Sequence, residues 1–146
     1  MGRLKVKHQE FNRETGTATF IYSYGSHLFE GVAQCHEDDM DMNSELVGLK
    51  YAETRAFYQY LKVRRGELQL RLSTLEGILN NMLTSKDFNI ATKYGKKMQV
   101  AICETRMELK DCRDGLENIP QYLKDDISAR DGMYKKIREK RKNKDA

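Results

Sequence analysis

The sequence lacks any apolar run that approaches the length of a membrane span, and its first ten residues, MGRLKVKHQE, lack the apolar core of a signal peptide. Cysteine is scarce as well: Cys35, Cys103 and Cys112 are odd in number and unevenly spaced. Cys112 falls among regularly spaced apolar residues, so we interpret it as a small buried side chain. From these features we expect a reducing, cytoplasmic compartment and no contact with a membrane.

The common catalytic motifs are missing too. The chain has no glycine-rich phosphate-binding loop, no GxSxG, no HExxH and no CxxC, and its scattered glycines lack the context of a dinucleotide-binding fold. His8, His27 and His36 fall in predicted strands or connectors, with no arrangement for acid–base chemistry. We therefore expect a binding protein that is not an enzyme and needs no cofactor.

An acidic segment at residues 35–43, CHEDDMDMN, contains side chains of the types that bind metal ions. A calcium-binding EF-hand loop would need Gly where Ser44 stands and Glu where Lys50 stands. A zinc site would need a second pair of ligands beside Cys35 and His36. We expect no metal, and we expect these acids to cap and complement the N-terminus of the helix that follows.

Proline occurs once, at position 120, which leaves two long stretches free to form helices. Residues 44–83 contain no proline and carry apolar side chains at steps of mostly three or four, with Arg64 in a skipped position: Phe57, Leu61, Leu68, Leu72, Leu75, Leu79 and Met82. Residues 92–142 begin with the same spacing: Met98, Ile102, Thr105, Leu109, Cys112, Leu116, Ile119 and Leu123. Each apolar stripe needs a partner, so an antiparallel helical hairpin is predicted.

Pro120 lies inside the second stripe and is expected to kink or restart the helix. The spacing continues beyond it through Leu123, Ile127, Arg130, Tyr134, Ile137 and Arg141. Two of these positions hold arginine. An arginine on the side of a helix that faces a partner needs an acceptor, which is either a carboxylate or a phosphate.

The N-terminal residues 1–35 carry strand patterns: Leu4 and Val6 alternate with lysines, TATFIY is rich in β-branched and aromatic residues, and turn signals surround both. The predicted fold class is α+β, mostly α: an N-terminal antiparallel β-ribbon followed by a long helical hairpin with a kinked C-terminal helix, in a single domain over residues 1–146. With 33% charged and 39% hydrophobic residues, such a hairpin buries little per residue, so self-association is expected.

The positive charge is concentrated at the C-terminus, although the whole chain carries a net charge of only +4. The tail KKIREKRKNK, residues 135–144, is interpreted either as a solvated helix end or as an anion-binding segment. A nucleic-acid-binding protein is one alternative, but 22 acidic residues spread through the chain argue against a broad basic face. A structural coiled-coil protein without a ligand is another, and the two arginines on the stripe argue mildly against it.

Four segments together resemble phage anti-Thoeris proteins, the first-described type of signal sponge: GTATFIY, FEGVAQCHEDDMDMNSE, YAETRAFYQYLK and DGMYKKIREKR. The resemblance spans nearly the whole chain. It implies a β-ribbon joined to long helices, a dimer, and often a hexamer as a trimer of dimers. It also implies capture without cleavage of glycocyclic ADP-ribose in the cytoplasm of the infected bacterial host. Some members hold cyclic dinucleotides or trinucleotides in a separate site.

In that family the nucleotide pocket lies between protomers and is lined by C-terminal arginines, with an aromatic and an Asn near the base. The resemblance assigns the phosphate-binding role to Arg138 and Arg141, and the base contacts to Asn118 and Tyr122. The segment around them adds three assisting candidates: Arg130, Tyr134 and Lys135. Arg55, in YAETRAFYQYLK, is a candidate for the separate cyclic-oligonucleotide site, against the alternative of an exposed helical arginine paired with Glu53 or Gln59.

Overall fold

A computed structural model of the chain describes residues 3–35, 45–85, 89 and 92–145. Of the described residues, 71% are helical, and the predicted α+β, mostly α class is confirmed. Within the described residues there are three strands and two helices: β1 (Lys5–Asn12), β2 (Thr17–Tyr24), β3 (His27–Gln34), α1 (Glu45–Leu83) and α2 (Lys93–Asp145). The predicted helix bounds differ from these by at most three residues. Apart from Cys35, the acidic segment predicted to cap α1 lies outside the described residues.

The strands form an antiparallel sheet in the order β1-β2-β3. Before β2, the side-chain oxygen of Asn12 accepts hydrogen bonds from the backbone N–H groups of Glu14 (2.9 Å) and Thr15 (3.3 Å). Gly16 and Gly25 occupy the two turns with φ angles of 70° and 58°, a conformation that residues with a Cβ adopt at a cost. These residues direct the chain into two hairpins, so the predicted antiparallel ribbon has three strands.

The chain divides into two compact units. The first contains Met1–Tyr60 and Asn118–Ala146, so it holds the sheet, the beginning of α1 and the end of α2. The second contains Leu61–Glu117 and is formed by the remaining parts of both helices.

Small side chains form the core of the first unit. Ala18, Ala33, Ala52 and Ala56 are almost fully buried beside Phe20. Their small size allows α1 to lie directly on the sheet, with almost no space over Gly31 of β3. The first turns of α1 are thereby held against β2 and β3.

The second unit is a helical hairpin whose buried side chains all come from the predicted apolar stripes: Leu61, Leu68, Met98, Ile102, Thr105, Leu109 and Cys112. Five further residues of those stripes are only half-buried: Leu72, Leu75, Leu79, Met82 and Leu116. Arg64 also lies largely buried, with 15% of its side chain exposed. Its guanidinium bonds Glu67 (3.4 Å) on α1 and Glu108 (2.8 Å) on α2. The arginine in the skipped position of the first stripe therefore contributes an ion pair between the two helices.

The C-terminal part of α2 departs from the predicted pattern in two places. The helix continues through Pro120, so it does not restart there, and the kink remains a prediction. Ile127 was predicted on the buried stripe but is 42% exposed, whereas Asp126 is only 4% exposed. Asp126 takes the buried position predicted for Ile127 because the Thr54 hydroxyl of α1 donates a hydrogen bond to the Asp126 carboxyl at 2.7 Å. Among the described residues, no helix combines the length and apolarity that a bilayer span requires.

Candidate functional site

The end of α2 presents a row of cations, the basic stripe, which consists of Lys135, Arg138, Arg141 and Lys142. All four side chains are exposed. Arg138 and Arg141 follow Lys135 at steps of three, and Lys142 lies seven residues, about two turns, beyond Lys135, so the four share one side of the helix. Within the part of the chain that the structure describes, Lys135, Arg138 and Lys142 form no ion pair. Their charge is therefore available to an anion from solution.

Tyr134, one of the assisting candidates, faces the protein. It is 9% exposed, and its hydroxyl oxygen lies 4.0 Å from the Sγ atom of Cys35, which directly follows β3. This contact joins the end of α2 to the sheet within the first unit. Tyr134 thus positions the helix that carries the basic stripe.

Arg130 donates hydrogen bonds to a carboxylate acceptor within its own helix. Its Nε and Nη2 atoms donate to Asp131 Oδ1 at 3.2 and 3.1 Å. Burial lowers the pKa of Arg130. The hydrogen bond to Asp131 and the nearby Tyr51 together raise this pKa by more than burial lowers it, so the net shift is upward. Of the two acceptors that the sequence left open, the structure supplies the carboxylate.

Arg55 lies exposed on α1 and donates from Nη1 to the backbone carbonyl of Val32 in β3. Its partner is neither Glu53 nor Gln59, the two residues expected if Arg55 had only a local helical role. The bond joins α1 to an edge strand of the sheet, because among the described strands β3 pairs only with β2.

Asn118 and Tyr122, the candidates for a nucleobase, both lie on α2 at exposed positions. Asn118 does not line the cavity described next. Tyr122, which is 40% exposed, lines a cavity of about 310 Å³ in the first unit. We call it the acidic aromatic cavity, and it is lined by Tyr22, Lys50, Glu53, Thr54, Phe57, Tyr122, Asp125 and Asp126.

Two hydrogen bonds fix the wall of this cavity. The Tyr22 hydroxyl donates to Glu53 Oε1 at 2.9 Å, and the Thr54 hydroxyl donates to Asp126 Oδ2 at 2.7 Å. Burial and the bond to Glu53 raise the pKa of Tyr22, so its hydroxyl stays protonated and remains a donor. The rings of Tyr22 and Phe57 meet edge to face with their centroids 6.4 Å apart.

Sequence reasoning did not identify this cavity, although Tyr122 was among its candidates. Its members come from β2, α1 and α2, and only the fold brings them together. The sequence offered only a weak indication of this cavity. Asp125 and Asp126 lie next to the regularly spaced apolar positions of α2, but carboxylates are usually solvated. Among the described residues, no group of three or more His, Cys, Asp or Glu side chains is placed to hold a metal ion.

The first unit thus carries two sites of opposite electrostatic character. The basic stripe is an exposed row of cationic side chains suited to phosphate oxygens, whereas the acidic aromatic cavity combines carboxyl groups with aromatic walls. Comparison of the chain with protein-family models, curated proteins and solved structures finds no match.

Proposed function

We propose that the chain is a non-catalytic sponge that binds a cyclic nucleotide signal of the glycocyclic ADP-ribose type. By sequestering this signal in the cytoplasm of the infected host, it blocks Thoeris-type anti-phage defence. The observation that carries the proposal is the basic stripe on α2, where exposed cations share one side of the helix without a compensating carboxylate at Lys135, Arg138 or Lys142. The resemblance of four sequence segments to anti-Thoeris proteins gives the ligand class.

A cyclic ADP-ribose derivative offers a pyrophosphate, and the basic stripe fits that group. Arginine donates two parallel hydrogen bonds to phosphate oxygens, and such charge-assisted bonds are stronger than those between neutral groups. Arg138 and Arg141 stand three residues apart on one side of α2, so both reach the same anion. A second copy of the chain at this surface would double the positive charge around the ligand.

Sequestration needs affinity and no chemical step. In one chain Tyr122 precedes Arg138 by sixteen residues, about 24 Å along α2, so both cannot contact one cyclic ADP-ribose ligand. Phosphate-binding arginines of one chain and base contacts from Tyr122 and Asn118 of a second copy are sufficient for sequestration, because the ligand leaves unchanged. Besides its hydrogen bond to the Val32 carbonyl, Arg55 is proposed to bind cyclic oligonucleotides at a separate site.

Nucleic-acid binding is the second candidate, and the length of the basic stripe disfavours it. From Lys135 to Lys142 the stripe extends about 10 Å along the helix axis, since an α-helix rises about 1.5 Å per residue. Such a span meets only a few phosphates of a duplex, and affinity for DNA grows with the number of phosphates neutralised. A compact dianion matches the stripe better than a polymer does.

Isothermal titration with glycocyclic ADP-ribose tests the proposal on the wild type, Arg138→Ala and Arg141→Ala. Losing one hydrogen bond to a charged group costs roughly 1.5–3 kcal/mol. Each variant should therefore bind about tenfold to a hundredfold more weakly, because about 1.4 kcal/mol is tenfold. Arg113→Ala, which removes an exposed arginine of α2 outside the stripe, is the matched control and should bind as the wild type does.

Two further measurements separate the alternatives. Protein incubated with the signal is denatured, and the released fraction should contain the intact cyclic nucleotide. Duplex DNA titrated in place of the signal should bind weakly. Wild-type affinity in both stripe variants, or a cleaved nucleotide in the released fraction, would contradict the proposal.

A further inference from the structure

The acidic aromatic cavity cannot serve the anion that we assign to the basic stripe. Three carboxyl groups line it, from Glu53, Asp125 and Asp126, against the single ammonium group of Lys50. We infer that this cavity is a second binding site, which takes a small organic cation of the substituted-ammonium class. The inference goes beyond the proposed function, since it concerns a different ligand at residues of which only Tyr122 also has a role there, as a nucleobase contact.

The most buried group in the cavity lacks a cationic partner. Asp126 is 4% exposed, and among the described residues its carboxyl accepts one hydrogen bond, from Thr54, and forms no ion pair. A carboxylate has about four acceptor positions, and a buried carboxylate is costly unless it is paired. A cation in the cavity would supply the partner that the chain itself does not.

The second carboxyl group is held at a fixed position. Glu53 Oε1 accepts the hydrogen bond of Tyr22, and Glu53 Oε2 lies 4.0 Å from Lys50 Nζ. The Lys50 side chain is 58% exposed, so this ion pair is solvated and weak. The lysine therefore lies at the mouth of the cavity and competes only weakly with a cation inside it.

The third carboxyl group, that of Asp125, is exposed and accepts a hydrogen bond from Gln121 at 3.0 Å. It adds negative charge at the outer part of the cavity. A cation that approaches from solution meets this charge first, before it reaches the buried Asp126.

The walls of the cavity select the kind of cation. Tyr22, Phe57 and Tyr122 contribute aromatic rings, whose faces attract cations through their quadrupole. A metal ion would need a full set of oxygen ligands, whereas an alkylated ammonium is weakly hydrated and packs against rings. The volume of about 310 Å³ is at the small end of the range for ligand pockets, which suits a ligand of few heavy atoms.

Choline is the probe, and 3,3-dimethyl-1-butanol is its neutral isostere. Each is titrated into the full chain at constant ionic strength, and binding is followed by changes in the NMR signals of labelled tyrosine and phenylalanine side chains. Choline should saturate the signals of Tyr22, Phe57 and Tyr122, whereas the alcohol should bind at least about fivefold more weakly, because it lacks the charge. Equal binding of the two probes, or no saturable binding of choline, would overturn the inference.

Three variants test the residues, and a fourth is the control. Asp125→Asn and Asp126→Asn should each weaken choline binding about fivefold to tenfold, since each removes one negative charge at short range. Asp114→Asn changes the net charge equally at an exposed position of α2 outside the cavity, and it should leave binding unchanged. Lys50→Met should tighten binding about twofold to fivefold, because it removes the one positive charge.

The Lys50→Met result does not depend on the stability of the aspartate variants, and weaker binding in that variant would contradict a cation site. Arg138→Ala should bind choline as the wild type does, so the two sites are tested separately. A failure of the cavity to bind choline would leave the assignment of the basic stripe untouched, and the reverse also holds.

Discussion

Asp126 and Arg64 are charged residues on the buried sides of the helices, and each is paired differently. Arg64 lies between Glu67 and Glu108 in the second unit. Asp126 accepts a hydrogen bond from the Thr54 hydroxyl in the first unit. A buried charged or polar group destabilises the fold when it loses its partner. Removing one partner of either bond should therefore lower the free energy of unfolding by more than the intact bond contributes to it.

Replacing Thr54 with Val should destabilise the protein, because the substitution keeps the shape of the side chain and removes the donor to Asp126. Leaving a buried acceptor unsatisfied costs roughly 1–3 kcal/mol, which urea denaturation will measure as a lower free energy of unfolding. Thr74→Val is the control. Like Thr54, Thr74 bonds the carbonyl four residues earlier on α1, but it is exposed and has no carboxylate partner. Equal stability changes in the two variants would contradict the assigned role of the Thr54–Asp126 bond.

The position of Asp126 could not be read from the sequence, whereas the unusual position of Arg64 could. Arg64 interrupts a regular apolar pattern within one helix, so its location facing the partner helix follows from local spacing. Asp126 is buried through a residue 72 positions away, and only the tertiary fold brings that residue near. Local spacing predicted that the apolar Ile127 would be buried. That prediction was wrong because local spacing carries no information about a partner as distant in the sequence as Thr54.

Strand β3 and helix α1 approach each other more closely than any side chain would allow. A Cβ atom built on Gly31 would lie 1.9 Å from the Ala52 carbonyl oxygen and 2.5 Å from the Ala56 nitrogen. Both atoms belong to the helix backbone and have no freedom to rotate away. The glycine on β3 and the two alanines on α1 therefore set the distance between the sheet and the helix in the first unit.

Gly31→Ala should lower the free energy of unfolding by about 3 kcal/mol or more, because the added methyl group forces the strand and the helix apart. Gly66→Ala is the opposite case on α1: nothing lies within 4 Å of its added Cβ, and alanine is the better helix former. That variant should raise stability by up to about 1 kcal/mol. Denaturant unfolding of both variants checks the pair, and a neutral Gly31→Ala would contradict the close packing.

At the level of elements, the sequence pattern predicted most of the fold. A period of three to four residues over dozens of positions is a strong signal, so the bounds of α1 and α2 were nearly right. Pro120 was the harder case. A proline inside a helix costs about 3 kcal/mol, but Pro120 is exposed and the adjacent Ile119 is buried, so packing next to it holds the helix together. The sequence gives no direct measure of that packing.

On the scale of the whole molecule, both candidate sites belong to the first unit, and the second unit leaves large apolar side chains exposed. Val63 and Leu70 on α1 are 41% and 70% exposed, and Val100 and Met107 on α2 are 55% and 68% exposed. Each pair is seven residues apart, which is the repeat of helices that pack against other helices. Two helices of a single hairpin leave these positions uncovered, so a second copy of the chain is the expected partner.

Light scattering at micromolar concentration should therefore give a mass that is a multiple of 17.0 kDa. Leu70→Glu places a charge on the exposed apolar stripe of α1, where burial against another chain would be costly, and it should shift the mass toward that of the monomer. Leu28→Glu alters a leucine of similar exposure, 63%, on strand β3 in the first unit, and it should leave the mass unchanged. A stable 17.0 kDa species for the wild type would refute self-association. Dissociation by Leu28→Glu alone would move the contact from the hairpin to the sheet.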